Sequence, residues 1–98
     1  MSTINWWRTT IGEAEINHLA GAIANEQISQ GSVTQEFEFQ IAKTLKVPYA
    51  VATTSGSMAL VLALMALDVG PGDEVIVPNR TFIATAHAPL MLGAKVIL

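Results

Sequence analysis

The sequence predicts an α/β fold, with a parallel-rich sheet flanked by helices. Three observations lead there. The second half alternates short apolar runs with helical stretches, in the order β-α-β-α-β. Gly70-Pro71-Gly72-Asp73 divides that half with a strong stop-and-turn. The first half carries two amphipathic helices and no strand-like alternation.

The elements follow in chain order. Residues 1–12 form an irregular lead-in. Within it, Trp6-Trp7 is better explained as a pair of aromatic anchors than as a platform for substrate. From Glu13 a helix is expected, with Ile16, Leu19, Ala20, Ile23 and Gln27/Ile28 at i, i+3, i+4 spacing. Glu13 and Glu15 sit where the helix dipole favours acids. His18 lies beside the stripe as a surface residue. Gly31 is the expected left-handed residue that ends this helix.

A second helix follows, with Val33, Phe37, Ile41 and Leu45 on one face and Ser32 as its N-cap. Lys43 and Lys46 match the dipole at its far end, and Pro48 stops it. Residues 49–53 read as a buried strand rich in small side chains. A helix over about 57–69 is apolar nearly all round, so burial on most sides is expected, with Met58 and Met65 as core filler. Glu74–Pro78 reads as the next strand and about Thr81–Leu92 as a further short helix, capped by Asn79-Arg80-Thr81. Pro89 should kink or break it by removing the bond to the Thr85 carbonyl. His87 is expected to be packed or at an interface. Residues 94–98 begin a further strand and stop there. The expected layout is therefore a single segment: lead-in 1–12, two helices over 13–46, and β-α-β-α-β over 47–98. Parallel sheets usually have more than three strands, so these residues are expected to be the N-terminal piece of a larger α/β protein.

Composition narrows the function. The chain has 98 residues, 51% of them hydrophobic and only 13% charged, about half the usual charged share. Such a chain suits a slice of a larger core or a broad interface. A net charge of −3 offers no basic footprint for nucleic acid. There is no cysteine for a disulfide framework or a Cys-containing zinc site, and no metal site is expected. The N-terminal residues lack the pattern of a signal peptide. The apolar run Met58–Leu67 is about half a membrane span. No membrane partner is expected, and the expected location is the cytoplasm.

Ligands of open parallel sheets bind outside the carboxyl ends of the strands. Two such ends are expected here. At the first, Ser55, Gly56 and Ser57 and the free N–H groups of Ser57 and Met58 would form an anion seat at a helix N-terminus. At the second, Phe82 offers an aromatic face. A phosphate seat beside such a face suits a flat, phosphorylated ring. Arg80 is the one cation near either end, and is at least as well explained as an exposed turn residue.

Gly-Ser-Val-Thr-Gln-Glu-Phe-Glu (31–38), Ala-Thr-Thr-Ser-Gly-Ser-Met-Ala-Leu (52–60) and Gly-Pro-Gly-Asp-Glu-Val-Ile-Val-Pro-Asn-Arg-Thr-Phe-Ile-Ala-Thr-Ala (70–86) occur in order and at specific spacing. Together they closely resemble the N-terminal part of the DegT/DnrJ/EryC1/StrS sugar aminotransferases. The resemblance implies the start of the large domain of a fold-type I pyridoxal 5'-phosphate enzyme. It implies a homodimer that moves an amino group, usually from glutamate, onto a nucleotide-linked keto sugar. By that resemblance Gly56 and Ser57 hold the cofactor phosphate, beside the Met58 amide expected at the same seat, Phe82 stacks on its ring, and Gly31, Ser32 and Val33 lie near the sugar. The family's Schiff-base lysine and the acid that pairs with the pyridinium nitrogen lie further downstream. No catalytic residue is therefore expected among these residues, and the segment alone should not turn over. A few relatives carry histidine in place of that lysine and dehydrate deoxysugars. A sugar dehydratase and a non-catalytic fragment are the alternatives.

Overall fold

The computed structural model describes residues 7–98, which form α1 (Glu13–Ala24), α2 (Ser32–Leu45), α3 (Gly56–Ala66), β1 (Glu74–Ile76), α4 (Ala84–Met91) and β2 (Lys95–Ile97). Trp6 lies outside the described residues, and Trp7 is exposed. The chain divides into two compact units, one ending at Ala52 and the other Thr53–Leu98.

In the first unit, α1 starts where the Gly12 amide donates to Glu15 Oε2 at 2.7 Å. The side chain thereby satisfies a donor that the helix itself leaves unpaired. The helix ends earlier than expected. Glu26, not Gly31, takes the left-handed conformation, at φ 56. Its amide donates to Ile23 O and that of Gln27 to Ala22 O, the paired bonds of a Schellman motif. Asn25 reinforces the stop, with Nδ2 donating to Gly21 O at 2.8 Å. Gly31 is instead the extended N-cap of α2, and Ser32 is the first helical residue rather than the cap. The apolar stripes of both helices are present in the periodicity but remain exposed, because no described element of this unit lies over them.

Residues 49–53 form no strand and pair with none of the described strands. The Ala52 amide is satisfied by a side chain instead, donating to Glu38 Oε1 at 2.8 Å.

The second unit carries the small core of Val61, Val77, Ala84, Ala88, Pro89 and Ala94. Here α3 packs on α4, and α4 on β2. The strands pair in parallel, with Val75 opposite Val96, as the β-α-β order predicts. The Val77 amide extends the ladder to Ile97 O at 2.8 Å. Ahead of β1, Pro71 and Gly72 (φ 97) occupy the central positions of a type II turn. Asp73 closes it by accepting from the Gly70 amide at 2.8 Å.

Two expectations for this unit are corrected. The helix α3 is buried only at Val61; Leu60, Leu62, Met65 and Leu67 are exposed. A helix apolar on all sides needs cover on all sides, and the described residues supply one. Helix α4 starts at Ala84 rather than Thr81, after a tight turn in which the Thr85 amide donates to Phe82 O. It also runs two residues past Pro89. The Pro89 carbonyl then accepts from Ala94 in a Schellman motif with Gly93 at φ 79. A proline in the last turn removes one bond where the helix is about to end, so the cost is small. His87 is exposed rather than packed. No described helix is long and apolar enough to cross a membrane.

Candidate functional site

The second unit holds the expected anion seat. Ser55 is the N-cap of α3, in extended backbone, and its Oγ accepts from the Met58 amide at 3.3 Å. The Ser55 carbonyl is held twice, by the Ala59 amide at 3.0 Å and by Thr53 Oγ1 at 2.9 Å. This fixes the turn that points the first amides of α3 outward. Among the described hydrogen bonds, the amides of Gly56 and Ser57 have no partner, and the Ser57 side chain is exposed. The expectation that the Met58 amide is free is corrected, because the cap already uses it.

Gly56 has an ordinary negative φ, and nothing lies within 4 Å of where its Cβ would stand. Neither conformation nor crowding by the described residues therefore requires glycine here. The missing side chain leaves the backbone open to a ligand that must approach closely. No charged residue occurs between Tyr49 and Leu67, so the partial positive end of α3 faces no competing carboxylate on its own stretch of chain. Two open amides, neighbouring hydroxyls and a bare Cα fit a phosphate group.

Phe82 belongs to the same unit, in the turn before α4, and is 76% exposed. An aromatic ring that the core does not use has a face available for stacking. Thr81 and Thr85 share a hydroxyl contact of 3.0 Å beside it. Arg80 is exposed in the preceding loop. Lys95 forms an exposed ion pair with Glu74 at 2.6 Å across the strand ladder.

Gly31, Ser32 and Val33 lie in the first unit, at the start of α2. Ser32 and Val33 help to line an open groove of about 570 Å³, together with Asn17, His18, Asn25 and Gln27. Ser32 Oγ donates to Gln27 Oε1 at 2.6 Å. The lining is about equally polar and apolar and contains no Asp, Glu, Lys or Arg. The sequence assigned Asn17, Asn25 and Gln27 no role at this place. Their one signal was polarity, Asn17 within α1 and Asn25 and Gln27 just past its C-terminal end.

The pattern of the DegT/DnrJ/EryC1/StrS aminotransferase family matches residues 9–98. Among solved structures, a Streptococcus pneumoniae protein assigned as a sugar aminotransferase, in its pyridoxamine phosphate form, is 34% identical with a TM-score of 0.88, covering 98% of this chain and 24% of its own. An aminotransferase from Psychrobacter cryohalolentis is 34% identical with a TM-score of 0.81, over 90% of this chain and 23% of its own. NtdA from Bacillus subtilis, with bound pyridoxamine phosphate, is 35% identical with a TM-score of 0.75, over 84% and 19%. This chain spans about a quarter or less of the length of the structures it matches.

Proposed function

The chain belongs to the DegT/DnrJ/EryC1/StrS aminotransferase family, and from that premise we propose that it forms one wall of the cofactor pocket of a cytoplasmic, homodimeric nucleotide-sugar aminotransferase. The observation that carries this reading is the α3 N-terminus, where two amides without a partner among the described residues adjoin a glycine whose Cβ position is open. Its donor set suits the phosphate of pyridoxal 5'-phosphate, the cofactor of the family.

The residues have distinct tasks. The amides of Gly56 and Ser57 bind the phosphate, and the Ser57 hydroxyl adds a donor. The Met58 amide stays with the Ser55 cap and steadies the turn. Phe82 covers one face of the cofactor ring and excludes water from it. Gly31, Ser32 and Val33 border the groove that takes the keto sugar, with the amino group supplied by a donor such as glutamate. Pyridoxal phosphate, when bound, supplies the electron sink for breaking bonds at the amino carbon. We assign no proton-moving role in that step to the lysines of this chain: Lys43 and Lys46 end a helix on the surface, and Lys95 lies in an exposed ion pair with Glu74. These residues bind and orient, and by themselves do not turn over.

Calorimetric titration with pyridoxamine phosphate and with pyridoxamine tests the assignment. Neither ligand needs a lysine to bind, so the comparison isolates the phosphate seat. A preference for the phosphorylated amine that Ser57→Leu abolishes is the expected result. Equal affinities in the unsubstituted chain would remove the phosphate seat from Ser57.

A further inference from the structure

We propose that Glu38 is a positioning residue for the phosphate seat, fixing through its carboxylate the backbone that enters the Ser55–Ser57 turn. The inference rests on the reading of that turn as the place where the cofactor phosphate binds.

Glu38 Oε1 accepts from the Ala52 amide at 2.8 Å, a contact spanning 14 residues and partly shielded from water. Glu38 is half-buried on α2, whereas Glu36, Phe37, Phe39 and Gln40 around it are exposed. A glutamate that only kept the helix soluble would point outward with them.

The chemistry of the contact is specific. Residues 49–53 have no ladder partner among the described strands, so without Glu38 the Ala52 donor would lie partly buried and unpaired. Leaving such a group unsatisfied costs more than an ordinary hydrogen bond returns. An ionised acceptor also gives a shorter and stronger bond than a neutral one.

Only Thr53 and Thr54 separate the pinned Ala52 from the Ser55 cap. Thr53 is itself tied forward, through Oγ1 to the Ser55 carbonyl. Glu38 thus holds the residue that leads into the turn, and Thr53 holds the turn itself. Phosphate seats made of backbone amides depend on where the backbone runs, and a displacement of about 1 Å is enough to lose most of such an arrangement. A carboxylate that accepts from a backbone amide holds that stretch of backbone, which is the task of a positioning group.

The test measures the ratio of affinities for pyridoxamine phosphate and pyridoxamine in the full chain, with the thermal midpoint recorded alongside. Glu38→Ala should lower this ratio by at least about tenfold, the effect of losing one charge-assisted bond. Glu38→Gln, which keeps an acceptor oxygen, should recover most of it. If Glu38→Ala lowers both affinities equally, or leaves the wild-type ratio intact, the positioning role is overturned while the phosphate seat stands. An unsubstituted chain without any preference overturns the seat, and this inference with it.

Discussion

The Ser55 hydroxyl and the Met58 amide are joined by a hydrogen bond of 3.3 Å, so the cap that starts α3 uses a donor that an anion would otherwise take. Ser55→Ala removes the cap and should cost about 1 kcal/mol in urea unfolding without ligand. It also releases the Met58 amide toward the phosphate. With saturating pyridoxamine phosphate the deficit should shrink, because tighter binding stabilises the folded chain by mass action. A deficit that is unchanged or larger with ligand would mean that the Met58 amide does not face the seat.

At the next two positions stability and binding should move in opposite directions. Gly56 has ordinary backbone angles and an open Cβ position, so Gly56→Ala should stabilise the chain by about 0.4–1 kcal/mol. Ser57→Asp places an acid in the first turn, where the dipole favours it by about 0.3–1 kcal/mol. Both should weaken pyridoxamine phosphate binding, the first by filling the approach and the second by repelling the anion. Calorimetry and urea unfolding on the same samples check this. A variant that gains stability and keeps its affinity would show that the phosphate binds elsewhere.

Much of this site could be read from the residues because its parts are local. The strand-turn-helix composition of 49–60 pointed to a helix N-terminus, and Ser55 is its cap. The parallel pairing of β1 with β2 followed from the order of elements. What stayed hidden depended on context. The apolar sequence of α3 records the burial it needs, not the cover these residues provide. Likewise 49–53 has strand composition, but pairing is a property of two segments. The end of α1 was misplaced because glycine is the usual left-handed residue, whereas here Asn25 bonds back to Gly21 and Glu26 takes that conformation. The long-range bond from Ala52 to Glu38 has no counterpart in any local pattern.

Acid should loosen the start of α1. The Gly12 amide, donating to Glu15 Oε2, holds this carboxyl below its ordinary value of 4.5, and the amide of Glu15 itself acts in the same direction. A carboxyl with a depressed pKa in the folded state stabilises that state fully above its unfolded pKa. The contribution fades as pH falls through the lower, folded value. Glu15→Gln should therefore reduce α1 helicity at neutral pH and differ little from the wild type well below pH 4.5. Circular dichroism across that range would reveal a constant difference if the cap did not depend on charge.

Asp68 and Gly93 occupy the same place in two helix ends, the left-handed residue of a Schellman motif, with φ 56 and φ 79. They should respond to substitution in opposite ways. At Asp68 a side chain occupies a conformation that disfavours it, so Asp68→Gly should stabilise the chain, by up to about 1 kcal/mol. At Gly93 a Cβ would have the same backbone penalty and would also lie 3.1 Å from Pro71 Cγ, in the ring that shapes the turn before β1. Gly93→Ala should thus cost about 1–2 kcal/mol from the backbone alone, and more unless the proline ring shifts. Urea unfolding of the two variants and the wild type gives both signs in one series. If Gly93→Ala proved neutral, the close approach of the α4 end to Pro71 would be wrong.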